Sequence, residues 1–338
     1  MMRIPTAEII LPARGRFDLR AVVHSHGYYE LAPFRWEDGR TPTLHRVERL
    51  PSRSVYRLAV GPAPRGVVLR VTGRDATEAE VLAPLAARMR RALRLDEDLA
   101  DFHRLCRLEP ALRPIVRLGM GRLLRGTTLF EDLVKAIAWT NTTWRGAVSM
   151  IDRLGRLGSR YPGEPRLRAF PTPEQILAAG EQRLRDRAGL GYRAPYLIAL
   201  ADRVVSGALD LQALSTRGPS IASADVARTL ASIRGAGPAT VAYGLMLLGH
   251  YDHPAIDSAT LRFAREAFHG SRPTTIAQVH QRFARYGEWA ALVLWFRQWL
   301  DGRHAMALLA ARRDAARAAP NRVRTRRRAA RDRRASRS

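Results

Sequence analysis

The amino-acid sequence predicts an α+β fold in which an antiparallel β-sheet comes first and helices follow. Up to about Gly73, short runs rich in valine and leucine are separated by glycine, proline and aspartate, which is typical of strands joined by turns. From Thr77 onward, apolar residues recur every three or four positions, as they do along one face of a helix. The chain has 338 residues, of which 46% are hydrophobic, so a large domain, a smaller one and a tail are expected.

Four segments of the first part have the composition of strands. They are 21–26 (AVVHSH), the stretch around 43–50 (TLHRVERL), 54–60 (SVYRLAV) and 66–71 (GVVLRV). Helices are predicted over 78–95 and 95–106, and the acidic residues that open the second of these suit a helix N-terminus. We expect residues 1–95 to form a sheet domain with one helix, 96–304 an all-α domain, and 305–338 a basic, disordered tail.

A further helix is predicted over 128–139, with apolar residues on one face. Thr128 and Glu131 have the spacing of a capping box, in which each side chain satisfies a backbone amide of the other residue. Glu131 and Lys135 are separated by one helical turn and are expected to form an ion pair on the polar face, opposite the core. Lys135 is the sole lysine of the chain, so any mechanism that needs a side-chain amine depends on it.

The net charge indicates a polyanionic partner. Lysine and arginine number 57 against 31 acidic residues, giving +26 at neutral pH, and such self-repulsion is most simply explained by nucleic acid. Residues 311–338 contain twelve arginines and two aspartates, which places +10 in the tail and leaves +16 for the remainder. We expect the tail to bind phosphates without sequence preference.

Cysteine usage and hydropathy favour a reducing, cytoplasmic setting. Cys106 is the only cysteine, which excludes a disulfide within the chain and any four-cysteine metal site. The sequence lacks an N-terminal apolar core and any run of 18 apolar residues, so neither secretion nor membrane spanning is expected. The histidines do not have ligand spacing supported by other metal-binding side chains, so no metal site is expected; the four considered are His24, His26, His250 and His253.

The most informative segment is 225–268, where two helices are joined by a tight glycine turn. Gly235 and Gly237 flank Ala236, and Pro238 occupies the first position of the next helix, which suits its fixed backbone angle. Glycines at such a turn let a phosphate approach the backbone amides that begin the second helix. An ordinary turn between two helices explains the same residues, and the turn alone does not decide between them.

Asp257 follows Gly237 by twenty residues and opens the helix predicted after it. An aspartate in this place is commonly an N-cap, whose side chain accepts a hydrogen bond from a backbone amide of the first turn. A catalytic role is compatible with capping, because the helix N-terminus favours the ionised carboxylate. Such a carboxylate can stabilise the positive charge that develops on a sugar as a glycosidic bond breaks, or activate the attacking water.

The hairpin and its downstream aspartate resemble the helix-hairpin-helix (HhH-GPD) DNA glycosylase superfamily, and most closely both 3-methyladenine glycosylase II and the 8-oxoguanine glycosylases. The likeness extends over most of residues 15–300 and includes four other segments: 26–36 (HGYYELAPFRW), 93–103 (LRLDEDLADFH), 129–144 (LFEDLVKAIAWTNTTW) and 188–197 (AGLGYRAPYL). The resemblance implies a TBP-like N-terminal sheet domain before a two-lobed all-α core. It also implies base-excision repair of double-stranded DNA, with the damaged base flipped into a pocket.

The resemblance assigns roles to matching residues. Asn141 lies where the family places the residue that fills the gap left by the flipped base, and Tyr192 lies at the position of a wedge. Arg193 lies at the position of a contact to the orphaned opposite base, and Tyr243 matches a pocket aromatic. Independently of the resemblance, Trp289, Trp295 and Trp299 have helical spacing typical of core residues, and Trp295 is the one considered as a second pocket residue. Each also has an ordinary structural explanation: a capping asparagine, core aromatics and a surface arginine. The residues expected to contact DNA at the hairpin are Arg234, Gly235, Gly237 and Ala239.

One departure from the family bears on the mechanism. Bifunctional members carry a lysine two positions after the second hairpin glycine, and here that position is Ala239. The missing amine therefore implies a monofunctional, water-attacking enzyme. We also expect it to be a monomer, located in the cytoplasm and associated with the nucleoid. No cofactor is expected. By analogy with the family, a monovalent cation could bind the backbone carbonyls of the hairpin.

Three functional interpretations remain open at this point. Alkylated purines are favoured as the substrate because Ala239 and Tyr243 match the 3-methyladenine enzymes. Residues 191–194 (GYRA) instead match the 8-oxoguanine enzymes, so an enzyme of that type is the first alternative. The second is a noncatalytic protein that uses the hairpin only to hold DNA.

Overall fold

A computed structural model describes residues 4–217, 220–268, 270 and 272–300. The predicted tail, 305–338, lies outside the described residues. A five-stranded antiparallel sheet with strand order β1-β5-β4-β3-β2 is followed by a series of helices, which confirms the predicted α+β class. The strands of this sheet are β1 (Thr6–Pro12), β2 (Arg35–Glu37), β3 (Thr43–Arg49), β4 (Val55–Ala63) and β5 (Gly66–Thr72).

Alternating apolar residues explain the central strands. Leu58 and Val60 of β4 are fully buried and pair with Val71 and Leu69 of β5, so these side chains share the covered face of the sheet. Three of the predicted strands correspond to β3, β4 and β5. The sequence patterns did not predict β1, which pairs along its whole length with β5.

The predicted strand at 21–26 is wrong, because α1 (Leu19–Val23) occupies this segment. The side chain of Asp18 accepts a hydrogen bond from the backbone amide of Ala21 at 2.9 Å and caps the helix. Since the residues around this helix are buried, its apolar run covers the core rather than alternating between a core and a solvent face.

The helices of the described chain take up most of the sequence after β5. They are α2 (Ala79–Leu93), α3 (Ala100–Leu108), α4 (Arg113–Arg117), α5 (Leu129–Ala138), α6 (Trp144–Gly155), α7 (Pro173–Asp186), α8 (Ala194–Val205), α9 (Leu211–Arg217), α10 (Ser223–Ala231), α11 (Pro238–Leu248), α12 (Ser258–Phe268), α13 (Ile276–Phe283) and α14 (Ala290–Leu300). Among the described helices, none is both long and apolar enough to cross a membrane.

The expectation that everything after the first domain is helical is also wrong. A short hairpin of β6 (Arg160–Tyr161) and β7 (Glu164–Arg168) interrupts the helices, with Gly163 at a positive φ of 80° in its turn. The ring of Tyr161 is buried with Val47 of β3, and Glu164 forms an ion pair with Arg57 of β4. The hairpin therefore gains its stability from the first sheet, a long-range contact that helical periodicity does not register.

The two larger hydrophobic clusters of the described residues form the cores under these elements. The first joins the covered face of the sheet to α2, α5, α6, α7, α8 and α10, and it takes residues from both sides of the predicted boundary at residue 95. The second joins α3 and α4 to α12, α13 and α14. Helix α11 contributes to both, with Leu245 and Leu248 in the first and Tyr243 and Met246 in the second. It therefore lies where the two cores meet.

Candidate functional site

The turn between α10 and α11 has a backbone geometry that requires glycine at one position and leaves open space at another. Gly235 has a φ of 89°, and a Cβ atom there would lie 2.5 Å from Cδ2 of Tyr196. Gly237 has an ordinary φ of −73° and open space around its Cα, and it precedes Pro238 at the start of α11. Ala239 lies half-buried in the first turn of this helix. The turn thus presents an accessible helix N-terminus, which is suited to an anion such as a phosphate.

Close packing holds the two hairpin helices together. A Cβ atom on Gly244 of α11 would lie 2.9 Å from Cδ1 of Leu230 of α10, so the helices approach through a glycine. Arg234 is exposed at the turn, and its guanidinium carbon lies 5.3 Å from the ring centroid of Tyr196. Arg234 therefore packs beside the Tyr196 ring on the outer side of the hairpin, where its guanidinium is accessible to a polyanion.

Asp257 is exposed immediately before α12, and its carboxylate is fixed on one side only. Oδ1 accepts hydrogen bonds from the backbone amide of Thr260 at 2.8 Å and from the hydroxyl of Thr260 at 2.9 Å. The side chain is therefore the cap of α12 that the sequence allowed. Oδ2 has no hydrogen-bond partner within the part of the chain that the structure describes. One carboxylate oxygen is thus immobilised while the other remains open to solvent or a ligand.

Tyr243 of α11 belongs to a cluster of four aromatic rings, which we call the aromatic pocket. The ring centroid of Tyr243 lies 4.9 Å from that of Trp139, at the end of α5, and 5.9 Å from that of Trp295 of α14. His26 completes the group at 6.4 Å from Tyr243 and 5.7 Å from Trp295. The four rings come from four separate segments of the chain, which the fold brings together.

The hydroxyl of Tyr243 is the polar group of the aromatic pocket. The side chain is only 6% exposed, and its oxygen is buried with no hydrogen-bond partner among the described residues. Burial raises the pKa of Tyr243 well above its usual value, and the nearby carboxylate of Asp132 acts in the same direction. The group therefore stays a neutral hydroxyl at physiological pH. A buried hydroxyl without a partner is costly, so it is available to a polar ligand atom that enters the pocket.

Helix α14 connects the aromatic pocket to Asp257. Trp295 and Gln298 are three positions apart on α14 and therefore lie on one side of it. Oε1 of Gln298 lies 3.1 Å from the hydroxyl of Thr260, the residue that holds the Asp257 carboxylate. The indole nitrogen of Trp295 donates to the carbonyl of Ser25 at 3.1 Å, which ties the same helix to the segment that carries His26.

The three residues predicted to act where the base leaves the duplex lie together. Asn141 follows α5 with a positive φ of 47°, and its Nδ2 donates to the hydroxyl of Tyr192 at 3.2 Å. Tyr192 is 46% exposed, whereas Arg193 is only 7% exposed. Arg193 donates from Nε to the carbonyl of Thr140 at 3.1 Å and from Nη2 to the carbonyl of Asn141 at 3.2 Å.

The polar-face position expected for Lys135 is wrong, although its ion pair with Glu131 is present at 2.6 Å. The side chain is fully buried, because β3 covers this face of α5 and brings Arg46 to within 2.7 Å of Glu131. Its Nζ also lies 4.4 Å from the ring centroid of Tyr28. Burial alone would raise the pKa of Glu131, but Arg46 and Lys135 hold it at about 2.

Sequence reasoning missed His26, Trp139, Thr260 and Gln298. Trp139 ends the apolar face of α5, and the periodicity of that helix assigns it no role beyond packing. Among the other tryptophans, Trp299 is buried and Trp289 stacks on Tyr251, as is usual for core residues. Within the described ranges, no three His, Cys, Asp or Glu side chains form a group that could hold a metal ion.

Comparison with solved structures identifies proteins of the same fold. The 3-methyladenine DNA glycosylase of Archaeoglobus fulgidus is 20% identical with a TM-score of 0.69, covering 87% of this chain and 98% of that chain. The 8-oxoguanine glycosylase/lyase of Clostridium acetobutylicum, in its apo form, is 16% identical with a TM-score of 0.63, covering 88% and 98%. MBOgg1 in complex with a low-affinity DNA ligand is 18% identical with a TM-score of 0.58, covering 79% and 97%.

Sequence comparisons add nothing to this likeness, since neither a protein-family model nor a curated protein matches the chain. The structural matches cover nearly the whole of each solved chain. The chain therefore has the fold of these proteins, with the N-terminal sheet and the helices that follow it.

Proposed function

We propose that the protein is a monofunctional DNA glycosylase, which hydrolyses the bond between a flipped, damaged purine and its deoxyribose. The observation that carries the proposal is the half-fixed carboxylate of Asp257, connected through Thr260 and Gln298 to the helix that contributes Trp295 to the aromatic pocket. The Asp257 carboxylate and the aromatic pocket thereby share one structural support. The fold shared with known DNA glycosylases agrees with this assignment.

Binding of the duplex is assigned to the hairpin. The amides at the start of α11 are suited to a backbone phosphate, and Gly235 and Gly237 let it approach. Exposed Arg234 adds positive charge beside them, and Ala239 leaves the first helical turn unobstructed. These contacts hold DNA without reading its sequence, as a lesion-searching enzyme requires.

Flipping a nucleotide costs a few kcal/mol in lost stacking and pairing, and several residues offset this cost. Asn141 fills the gap in the duplex, and exposed Tyr192 beside it acts as the wedge. The flipped base enters the aromatic pocket, where Tyr243, Trp139 and Trp295 offer ring faces and edges. The hydroxyl of Tyr243, which has no hydrogen-bond partner among the described residues, gives the base one.

The open oxygen of Asp257 carries the chemistry. As the bond from the sugar carbon to the base nitrogen breaks, the electron pair leaves with the base and positive charge grows on the sugar. The carboxylate stabilises this charge, and a water molecule adds its oxygen to the sugar carbon while its proton passes to the carboxylate. The products are a free base and an abasic site in an intact strand.

Alkylated purines are the substrates that the pocket favours. An alkylated base carries positive charge or is poor in electrons, and aromatic ring faces attract such groups. An 8-oxoguanine substrate is the alternative, favoured by residues 191–194 and by the fold likeness to 8-oxoguanine glycosylases. A noncatalytic DNA-binding protein is the second alternative, in which the hairpin holds DNA and Asp257 serves only as the cap of α12.

The monofunctional assignment rests on the lack of an accessible lysine amine that could attack the sugar. Ala239 stands at the position of the family's catalytic lysine, and Lys135 is fully buried with Nζ held by Glu131. Borohydride added to a reaction on damaged or abasic DNA is therefore expected to trap no covalent complex. A trapped complex that disappears in Lys135→Ala would overturn this part of the proposal, after exclusion of the amino terminus as the amine.

The function is tested by release of 3-methyladenine, 7-methylguanine, hypoxanthine and 8-oxoguanine from defined duplexes. Alkali treatment after the reaction reveals abasic sites, and omission of alkali reveals direct strand cleavage. We expect release of the alkylated purines and strand breaks only after alkali. Release of 8-oxoguanine alone would establish the alternative substrate, and binding without release of any base would establish the noncatalytic protein.

A further inference from the structure

We propose that Arg193 positions the loop that carries Asn141, rather than reading the base opposite the lesion. We call residues 139–143 the Asn141 loop. The inference rests on the proposed function, because it concerns how that enzyme would tolerate different opposite bases. It departs from the role that the resemblance implies for Arg193.

Two of the three guanidinium nitrogens of Arg193, Nε and Nη2, are directed into the protein. Nη2 binds the carbonyls of Thr140 and Asn141, and Nε binds that of Thr140 at 3.1 Å. These carbonyls follow the end of α5, where helical partners are lacking and a cation is favoured. The planar guanidinium holds two consecutive residues at once, which a lysine ammonium cannot do in the same geometry.

Two further contacts complete the support of the Asn141 loop. The guanidinium carbon of Arg193 lies 4.5 Å from the ring centroid of Tyr192, so the exposed ring covers the buried cation. Tyr192 in turn accepts a hydrogen bond from Asn141 at 3.2 Å. The positive φ of Asn141 is a conformation that asparagine tolerates better than most residues.

A loop that is held in one conformation before DNA binds loses less conformational entropy when it binds. Arg193 therefore acts on every lesion duplex alike, whichever base stands opposite. Its removal should weaken binding of a gapped duplex through Asn141, and should do so equally for the four opposite bases.

The test measures dissociation constants for duplexes that contain a tetrahydrofuran abasic analogue opposite A, C, G or T. Arg193→Ala is expected to lose about tenfold or more in affinity for each of them, the cost of about one charged hydrogen bond. The four losses should agree within about twofold. Arg193→Lys should recover part of the loss. Arg234→Ala is the matched control, and it should weaken undamaged and gapped duplexes alike.

A double-mutant cycle separates this role from general destabilisation. In the Asn141→Gly background, which keeps the positive φ and removes the side chain, Arg193→Ala should cost at most about twofold. Losses that add in full, or a loss confined to one opposite base, would overturn the proposal. Because binding of the analogue needs no base release, absence of glycosylase activity would refute the proposed function while these constants still decide the role of Arg193.

Discussion

Replacing Glu131 by glutamine tests the buried charge cluster that joins α5 to the sheet. Although burial raises the pKa of Glu131, Arg46 and Lys135 outweigh that effect and lower it from 4.5 to about 2. At about 1.4 kcal/mol per pH unit, this corresponds to about 3 kcal/mol of folding free energy. Because the folded pKa is depressed, the contribution is complete above pH 4.5 and is lost as the pH falls towards 2.

The assay is urea unfolding, followed by tryptophan fluorescence, between about pH 7 and pH 3. At neutral pH, Glu131→Gln is expected to lose about 3 to 5 kcal/mol, because two buried cations lose part of their compensation. The difference from wild type should shrink as the pH falls below 4.5. Asp152→Asn is the control, since Asp152 pairs with Arg156 on the surface and should cost less than about 1 kcal/mol. A small loss for Glu131→Gln that does not vary with pH would refute the reasoning.

Two further substitutions address the hairpin and the aromatic pocket. Gly235→Ala should weaken binding of undamaged duplex about tenfold, because φ is positive at this residue and the new Cβ meets the ring of Tyr196. Gly237→Ala is the control, and it should change the dissociation constant little because φ is ordinary there and the space is open. Equal effects of the two substitutions would contradict this prediction. Tyr243→Phe should leave the melting temperature unchanged or raise it, since the buried hydroxyl that it removes has no partner among the described residues. The same substitution should slow single-turnover base release about tenfold. A lower melting temperature with unchanged release would assign that hydroxyl to the fold instead.

Local patterns predicted the parts of the fold that local physics determines. Runs rich in valine and leucine between turn residues identified β3, β4 and β5, and the glycines with Pro238 identified the helical hairpin. Long-range contacts determined the rest. A side-chain cap and burial on all sides made 19–23 a helix, and the sheet supported an additional hairpin at 160–168.

At the candidate site, too, the sequence predicted the residues that lie in a local motif and missed those that long-range packing brings in. Asp257 and Tyr243 were found because they lie within a recognisable segment. His26 and Trp139 join Tyr243 only through tertiary packing, and no spacing in the sequence relates them. Lys135 was misplaced because an amphipathic helix indicates one buried face, whereas α5 is covered on both by the sheet and the neighbouring helices.

Single-turnover base release by Asp257→Asn, measured beside binding of the same lesion duplex, tests the central claim most directly. The variant keeps an oxygen that can cap α12, so binding should stay within a few-fold of wild type while release falls about a thousandfold. Asp252→Asn, which changes an exposed acidic residue shortly before it in the chain, is the control and should release base at the wild-type rate. Release by Asp257→Asn within about tenfold of wild type would contradict the assignment of this carboxylate to the reaction.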